Sequence, residues 1–438
     1  MAYVVGLVVL VVGLLISIGL HELGHMIPAK RFGVRVPRYM VGFGPTLFSF
    51  RRGETEYGLK AIPLGGYVRL VGMLAPAHAV GAQDDEPRGA VGQLVAEARR
   101  ASAEEIPPGE DHRAFYRLST PKKLLVMAGG TLINLVVGAL LIGGVFVTQG
   151  LPEPTTSVGM VGGCVLPADA PFDQECTADD PPSPADEAGV AVGDVLVSFD
   201  GRPITEWADF TAAVRESDGT GIPLVVERDG QRRTLVVDPV EAERPVYGDD
   251  DQPVYDDGEL VTQTIRYVGL SPTSEFRALT VAEAVPRVGD TVWQTMGMIV
   301  RLPWQVADIG RAILGDGERD PAGVVGLVGV AQAAGEVASA QGTDVTIADR
   351  AAAMVLLLGS INIALFVFNL VPLLPLDGGH VAGALWEGAK RQWARATGRP
   401  RPRPADMARM MPLAYGMFAV LVGLGLFLVV ADLVVPII

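Results

Sequence analysis

Charged side chains are scarce in this chain of 438 residues, of which they make up 19%. A typical soluble globular protein carries about 25%. Hydrophobic residues make up 49%, and the mean hydropathy is +0.33. The shortage of charge excludes an ordinary soluble protein and predicts several membrane-spanning helices, while the length leaves room for at least one soluble domain.

Positive charge and cysteine are also in short supply. The chain has 35 Lys and Arg against 50 Asp and Glu, and the net charge of −15 argues against nucleic acid as a partner. Its two cysteines, Cys164 and Cys176, are too few for a zinc finger. Both lie in one loop, where they form a disulfide if the loop faces an oxidising compartment and stay free thiols if it does not.

Four apolar runs are long enough to span a bilayer, which takes about 20 residues. We predict transmembrane helices at residues 1–28, 122–149, 351–374 and 412–437. The first run continues into the sequence HELGH with no small-residue cleavage site after it. It is therefore not expected to be a removable signal peptide.

Lysine and arginine are unevenly distributed between these runs. They are frequent in residues 29–121 and 375–411, whereas the segment between the second and third runs carries the acidic groups Asp249–Asp251 and Asp256–Asp257. Loops rich in positive charge stay in the cytoplasm. We therefore predict a cytoplasmic segment at 29–121 and a cytoplasmic loop at 375–411, with both termini and the middle segment outside.

The cytoplasmic segment has two parts. Glycines separate short strand-like runs in residues 43–73, and a turn is expected at Arg52-Gly53. Residues 76–111 are rich in Ala, Glu and Pro, and they predict a mobile linker or a solvated helix.

The outer segment predicts one compact domain at residues 155–270. Its expected elements are three strands and one helix, at Leu196–Phe199, Leu224–Glu227, Thr234–Val237 and near Ala208–Glu216. An amphipathic stretch at 281–314 carries Trp293 and Trp304. This stretch either lies on the membrane surface, where tryptophan is favoured, or packs as an ordinary helix on the outer domain.

The sequence HELGH at residues 21–25 carries the clearest chemistry. On a helix, His21 and His25 lie one turn apart on one face and can bind one metal ion. Glu22 lies beside them and can take a proton from a water molecule that zinc activates. An ionisable group within an apolar helix costs about 2.5–3.5 kcal/mol. We therefore predict a zinc site rather than a polar cluster at the helix end.

A catalytic zinc site needs a third protein ligand and one open position. Asp377, in NLVPLLPLDGGH at residues 369–380, is the best candidate because it ends the third run as HELGH ends the first. Pro372 and Pro375 should break the helix, and Gly378-Gly379 should allow a sharp turn. Irregular backbone at membrane depth is tolerated only inside protein or beside water. The alternative is a plain helix stop at the interface.

HExxH on the first helix, NxxPxxPLDGG on a later one and a PDZ-like stretch at 183–201 resemble the site-2 protease family. In particular, they resemble the bacterial group that cleaves anti-sigma factors. The resemblance implies an α-helical membrane protein of the bacterial inner membrane, with four transmembrane helices, a membrane-associated β-hairpin region at 43–73 and one extracytoplasmic PDZ-like α+β domain. It also implies that Zn²⁺ is bound by His21, His25 and Asp377 and that Glu22 is the catalytic base.

The implied substrate is a single-pass membrane protein, similar to an anti-sigma factor already shortened outside by another protease. The other partners are the lipid bilayer and, by strand addition, an extracytoplasmic peptide for the PDZ-like domain. Asn369 and Asn134 are candidate substrate-binding residues, since buried polar groups in membranes are often functional. The alternative is hydrogen bonding between helices, which we expect for Asn362. Gly130–Asn134 resembles the family's GPxxN element, although Thr131 stands where proline is usual.

Two other functions fit parts of the pattern. A metal-ion transporter using the same cluster would carry zinc and would not need Glu22 as a base. A membrane-anchored PDZ scaffold with a relict site would function without zinc. The proline-broken PLDGG element favours the protease, because a transport site does not need it.

Overall fold

The computed structural model describes residues 1–82, 89–168, 170, 174, 176–177, 180–246, 255–256, 259–315, 319, 323–340, 345–400 and 402–436. The acidic groups Asp249–Asp251 and Asp257, used above for topology, lie outside these residues. The helices are α1 (Ala2–Arg31), α2 (Ala77–Val80), α3 (Gly89–Glu104), α4 (Thr120–Thr148), α5 (Pro184–Glu187), α6 (Trp207–Glu216), α7 (Val281–Leu314), α8 (Leu327–Ser339), α9 (Ile347–Leu370), α10 (Asp377–Ala396) and α11 (Met411–Val434).

Within the described residues, the strands pair in four antiparallel groups. They are β1 (Arg38–Arg52), β2 (Thr55–Arg69), β3 (Leu151–Val161), β4 (Val195–Phe199), β5 (Arg202–Pro203), β6 (Ile222–Arg228), β7 (Gln231–Val237), β8 (Val240–Pro245), β9 (Tyr255–Asp256), β10 (Glu259–Leu260), β11 (Thr262–Tyr267) and β12 (Leu270–Arg277). The chain divides into two compact units, the first comprising Met1–Val145 with Val281–Ile438 and the second comprising Phe146–Thr280.

Four helices of the described chain are long and apolar enough to cross a membrane, as predicted. They are Ala2–Arg31, Thr120–Thr148, Ile347–Leu370 and Met407–Val434, the last including a short 3-10 turn before α11. The third differs from the expected 351–374 at both ends. Thr346 begins it with a capping box to Asp349, and it ends at Leu370 because proline at 372 cannot continue a helix.

The expected cytoplasmic loop at 375–411 is largely helical, so that prediction was wrong in its structure. Helix α10 occupies Asp377–Ala396 and buries Ala384, Glu387 and Ala394 on one side. Arg395 is exposed and Arg391 pairs with the buried Glu387, and charge density alone does not distinguish such a helix from a loop. Helix α8 was not predicted. Its 13 residues are too few to span a bilayer, and it packs along α1, where Gly6 faces the Ala334 carbonyl.

The strand region predicted at 43–73 begins earlier, at Arg38, and ends at Arg69. Strands β1 and β2 form a hairpin whose turn follows Arg52, and Gly53 has the positive φ of +64° that this turn requires. Both strands also bend, because Arg38–Val41 pairs with Glu56–Leu59 on one side and with Gly66–Arg69 on the other. The hairpin packs on α1, to which Tyr39 donates a hydrogen bond at the Gly19 carbonyl over 2.7 Å. Of the predicted linker at 76–111, Gly89–Glu104 is helix α3, and its Arg99 pairs with Asp406.

Helix α7 has the bounds of the predicted amphipathic stretch. It packs against α9 and α11, and Ile309 contributes to a core with Leu428 and Ala431. Trp293 and Trp304 are exposed. Its position at the membrane surface stays a prediction.

The second unit is an α+β domain with a central sheet in the order β12-β3-β4-β6-β7, and β5 pairs with β4. The predicted strands and helix are β4, β6, β7 and α6. Phe210 of α6 packs edge-on against Phe199 over 5.7 Å between ring centres. The unit extends beyond 155–270 at both ends because β3 pairs with β12.

Two further links stabilise this unit. Cys164 and Cys176 form a disulfide, and Arg228 pairs with the fully buried Asp194 over 2.6 Å.

Candidate active site

Helix α1 carries the HELGH sequence in its last third and remains helical through Pro28. His21 and His25 are four positions apart and therefore project from one face, with their Nε2 atoms 3.2 Å apart. The third member of the cluster comes from the other end of the chain. Asp377 Oδ2 lies 3.4 Å from His21 Nε2 and 3.2 Å from His25 Nε2.

These three atoms have the spacing of ligands around one metal ion. Zinc–nitrogen and zinc–oxygen bonds are about 2.0–2.2 Å long, so the ligand atoms of a tetrahedral site lie about 3.3–3.6 Å apart. The observed separations of 3.2, 3.2 and 3.4 Å agree with that geometry to within about 0.2 Å. Two imidazoles and one carboxylate also form a donor set that catalytic zinc sites use.

Asp377 reaches the histidines because the chain reverses direction sharply before it. Helix α9 ends at Leu370 and α10 begins at Asp377, with a cis peptide bond at Leu374-Pro375 between them. Gly378 and Gly379 do not form the expected turn but belong to the first turn of α10. A Cβ at Gly378 would lie 2.3 Å from the Val371 carbonyl oxygen, so glycine is needed for close packing rather than for a left-handed conformation.

Helix α4 orients two of the three groups. The Nδ1–H of His25 donates to the Val126 carbonyl over 2.8 Å, which leaves Nε2 with a free lone pair directed at the cluster. Thr131 Oγ1 donates to Asp377 Oδ2 over 3.1 Å. Gly130 makes room for the ring, because a Cβ there would lie 2.2 Å from His25 Nε2. The helix therefore holds the site through small and hydrogen-bonding residues.

Helices α1 and α4 touch backbone to backbone beside the site. A Cβ at Gly24 would lie 2.4 Å from the Gly129 carbonyl oxygen, and a Cβ at Gly129 would lie 2.1 Å from the Gly24 oxygen. Only two glycines allow this approach. This contact fixes the position of His25, the next residue of α1, relative to α4.

Glu22 points to a different neighbour, the strand β2. Glu22 is buried, with 8% of its surface exposed, and its side chain packs against Gly66 of β2. Gly66 permits this contact, since a Cβ there would lie 3.1 Å from Glu22 Cγ and 2.9 Å from the Met40 carbonyl oxygen. The hairpin and the acidic group next to the histidines are thus in direct contact.

The other predicted site residues, Asn134 and Asn369, do not belong to the cluster of His21, His25 and Asp377. Asn134 follows Gly130 by one turn of α4 and is 2% exposed, and its Oδ1 has no hydrogen-bond partner in the described part of the chain. Asn369 is half-buried in the last turn of α9. Asn362 donates to Ser17 over 3.0 Å and joins α9 to α1, as expected. His380 is not part of the three-residue cluster.

Sequence reasoning did not find the roles of Thr131, Val126 and the pair Gly24 and Gly129. A hydroxyl in an apolar helix was a signal that something polar faces it. The identity of that group depends on which residue of α10 lies opposite, and no local pattern reveals it.

The chain is similar to membrane proteases over its whole length. The profile of Peptidase family M50 matches residues 9–400. Zinc metalloprotease Rip1 of Mycobacterium tuberculosis is 35% identical, and the alignment covers 100% of this chain and 99% of the relative. Zinc metalloprotease RasP of Oceanobacillus iheyensis and Regulator of sigma-E protease RseP of Escherichia coli are each 26% identical, with 85% of this chain and 88% of the relative aligned.

Proposed function

The chain belongs to peptidase family M50, the site-2 proteases, and we propose that it cleaves single-pass membrane proteins within their transmembrane segment. As a member it is a multi-pass inner-membrane zinc metalloprotease of regulated intramembrane proteolysis. The named zinc metalloproteases among its relatives argue against the transporter and the zinc-free scaffold. We further propose that the substrate is an anti-sigma factor already shortened outside, because one relative is named as a regulator of sigma-E.

The single observation that carries the site assignment is the triangle of Nε2, Nε2 and Oδ2 atoms at zinc-ligand spacing. We assign His21, His25 and Asp377 as the zinc ligands. When bound, zinc supplies Lewis-acid activation of water and of the scissile carbonyl.

We assign Glu22 as the general base. Its carboxylate takes a proton from the attacking water and then gives it to the leaving amine, so that one group serves both steps. The Glu22 side chain packs against Gly66 of β2. Burial excludes bulk water, which strengthens the electrostatic interactions that hold it there.

The β1–β2 hairpin is the proposed holder of the substrate. A transmembrane helix hides its carbonyls in its own hydrogen bonds, so the substrate must become extended before cleavage. The hairpin presents exposed apolar side chains suited to a membrane environment, at Phe43, Leu47, Phe48, Phe50 and Ile62. An extended segment pairing with it would lie next to Glu22, because β2 contacts that residue. Asn134 and Asn369 are proposed to hydrogen-bond the same segment.

Removing the base and removing a ligand should have different effects, which tests the assignment. Glu22→Gln should lower cleavage of a single-pass substrate by about 10²–10⁴-fold while zinc content is unchanged. Asp377→Ala should lower both zinc content and cleavage. His380→Ala is the matched control, since it removes a polar side chain one turn further along α10 and should keep zinc. Normal zinc occupancy in Asp377→Ala would contradict the ligand set.

The second unit is proposed to be a PDZ-like domain outside the cytoplasm that excludes substrates with large outer domains. Its chain is joined to α4 at one end and to α7 at the other, so it cannot dissociate as a terminal domain could. Replacing residues 155–270 by a flexible linker should permit cleavage of a full-length substrate that the intact enzyme refuses. Loss of cleavage of the shortened substrate, with no gain on the full-length one and zinc still bound, would contradict exclusion and favour recruitment.

A further inference from the structure

Three arginines at the end of helix α10 and just after it line one cavity. Arg391 and Arg395 are one helical turn apart, and Arg399 follows just after the helix ends at Ala396. The Arg399 backbone N–H donates to the Ala394 carbonyl over 2.9 Å, which folds the chain back toward the helix. The three side chains line one cavity of about 600 Å³, together with the first residues of α4.

The wall formed by α4 is suited to an anion. The helix begins at Thr120, and the N–H groups of Thr120 and Lys122 lie at its positive end, since Pro121 has no N–H and the Lys123 N–H donates to the Ser119 carbonyl over 3.0 Å. Two buried polar atoms at the cavity also have no hydrogen-bond partner in the described chain, Thr120 Oγ1 and Arg391 Nε. Gly388 lets the two helices approach, since a Cβ there would lie 2.8 Å from Thr120 Cγ2.

Positive charge at the cavity is not fully neutralised. Glu387 is 2% exposed and pairs with both Lys123, over 2.8 Å, and Arg391. One carboxylate therefore serves two cations. Among the described residues, no ion pair involves Arg395 or Arg399, and both are exposed. The result is a local excess of positive charge in a chain whose net charge is −15.

The cavity lies where a membrane-spanning helix begins, which indicates the source of the anion. Helix α4 enters its apolar run directly after Thr120 and Lys123. On α10, Trp386 and Trp393 are seven positions apart, share one face, and are 63% and 66% exposed. Tryptophans in such positions are favoured at the headgroup level of a bilayer, and clusters of basic residues next to the end of a transmembrane helix are suited to anionic headgroups.

We propose that this cavity binds the phosphate headgroup of an anionic phospholipid. Arg395 and Arg399 supply the charge, since guanidinium groups match phosphate oxygens in bidentate geometry. Thr120 Oγ1, Arg391 Nε and the first turn of α4 supply further donors. A lipid bound there would join the start of α4 to α10, the helix that begins with Asp377.

Native mass spectrometry of the full-length zinc-loaded protein in neutral detergent tests this proposal. The probes are phosphatidylglycerol and, as the neutral comparison, phosphatidylcholine. The wild type should retain phosphatidylglycerol preferentially. Arg395→Gln/Arg399→Gln should weaken its binding by about 30-fold, because each basic residue contributes about fivefold at a membrane surface. Arg395→Lys/Arg399→Lys should retain most of the binding, which separates loss of charge from loss of fold.

The matched control is Arg51→Gln/Arg52→Gln, which removes the same charge at the exposed turn of the hairpin and should bind lipid as the wild type does. A large excess of inorganic phosphate distinguishes the two sources of phosphate. Complete displacement of the lipid by inorganic phosphate would assign the cavity to free phosphate and overturn the proposal. Equal retention of both lipids by the wild type, or equal losses in the control and the Arg395/Arg399 variant, would overturn it as well.

Discussion

Replacing Gly24 by alanine is expected to separate α1 from α4 and to weaken zinc binding, although Gly24 touches no metal. The added Cβ would lie 2.4 Å from the Gly129 carbonyl oxygen. Carbon–oxygen contacts of this kind are not tolerated below about 3.0 Å, so the two backbones must move apart by about 0.6 Å. His25 is the next residue on α1 and moves with it.

The size of the effect follows from the tolerance of a metal site. Ligand distances in zinc sites vary by only about 0.2 Å, which is a third of the required displacement. Overpacking of this kind costs about 1–3 kcal/mol. If that strain is relieved when the ligands separate, zinc affinity should fall by about 5- to 150-fold. The hydrogen bond from His25 Nδ1–H to the Val126 carbonyl should weaken at the same time, because Val126 lies on α4.

Zinc affinity is measured by competition with a chromogenic chelator, and cleavage of a single-pass substrate is measured in parallel. Gly144→Ala is the matched control, since it makes the same change on α4 where a Cβ would meet no atom within 4 Å. The control should bind zinc normally. If Gly24→Ala binds zinc and cleaves as the wild type does, the close approach of the helices does not set the geometry of the site.

Three further predictions follow from contacts described above. Thr131→Val should lower zinc affinity by about 10- to 100-fold by removing the hydrogen bond to the aspartate, while Thr131→Ser should retain it, as measured by chelator competition. Because Arg228 holds the pKa of the buried Asp194 carboxyl below its usual range, this pair should stabilise the second unit above about pH 4 and lose its effect as the pH falls further. Hydrogen exchange of that unit in the full chain should therefore increase below pH 4, and Asp194→Asn should show the faster exchange already at neutral pH. The two cysteines should react with a membrane-impermeant thiol reagent on intact cells only after reduction, and labelling only in broken cells would contradict the outer location.

The sequence predicted the parts of the molecule that depend on local patterns. Apolar runs of membrane length identified the candidate spanning helices, and the two histidines at helical spacing identified one side of the proposed metal site. Pro372 marked the end of α9 because a proline lacks the N–H that a helix needs. Asp377 could be placed beside the histidines because both end apolar runs on the same predicted side.

The parts that were missed depend on contacts between distant segments. Helix α8 has too few residues to be recognised by length, and it is stabilised by packing along α1. Helix α10 carries the charges expected of a loop, while the buried positions that make it a helix are occupied by Ala and a paired Glu387. Thr131 donates a hydrogen bond to Asp377, which lies about 250 positions further along the chain. No local sequence pattern can reveal a contact over that separation.

The separation of the proposed ligands along the chain has a consequence for synthesis. His21 and His25 lie on the first helix, and Asp377 comes about 350 residues later, so a bound zinc ion would close a very long loop between the two ends of the polypeptide. A growing chain that has inserted only α1 and α4 contains the proposed base but lacks the proposed third ligand, and it cannot hold zinc in a three-ligand site. The protease would therefore gain activity only after its late segments have entered the membrane, which protects neighbouring proteins during assembly. A chain truncated before residue 377 should accordingly purify without zinc.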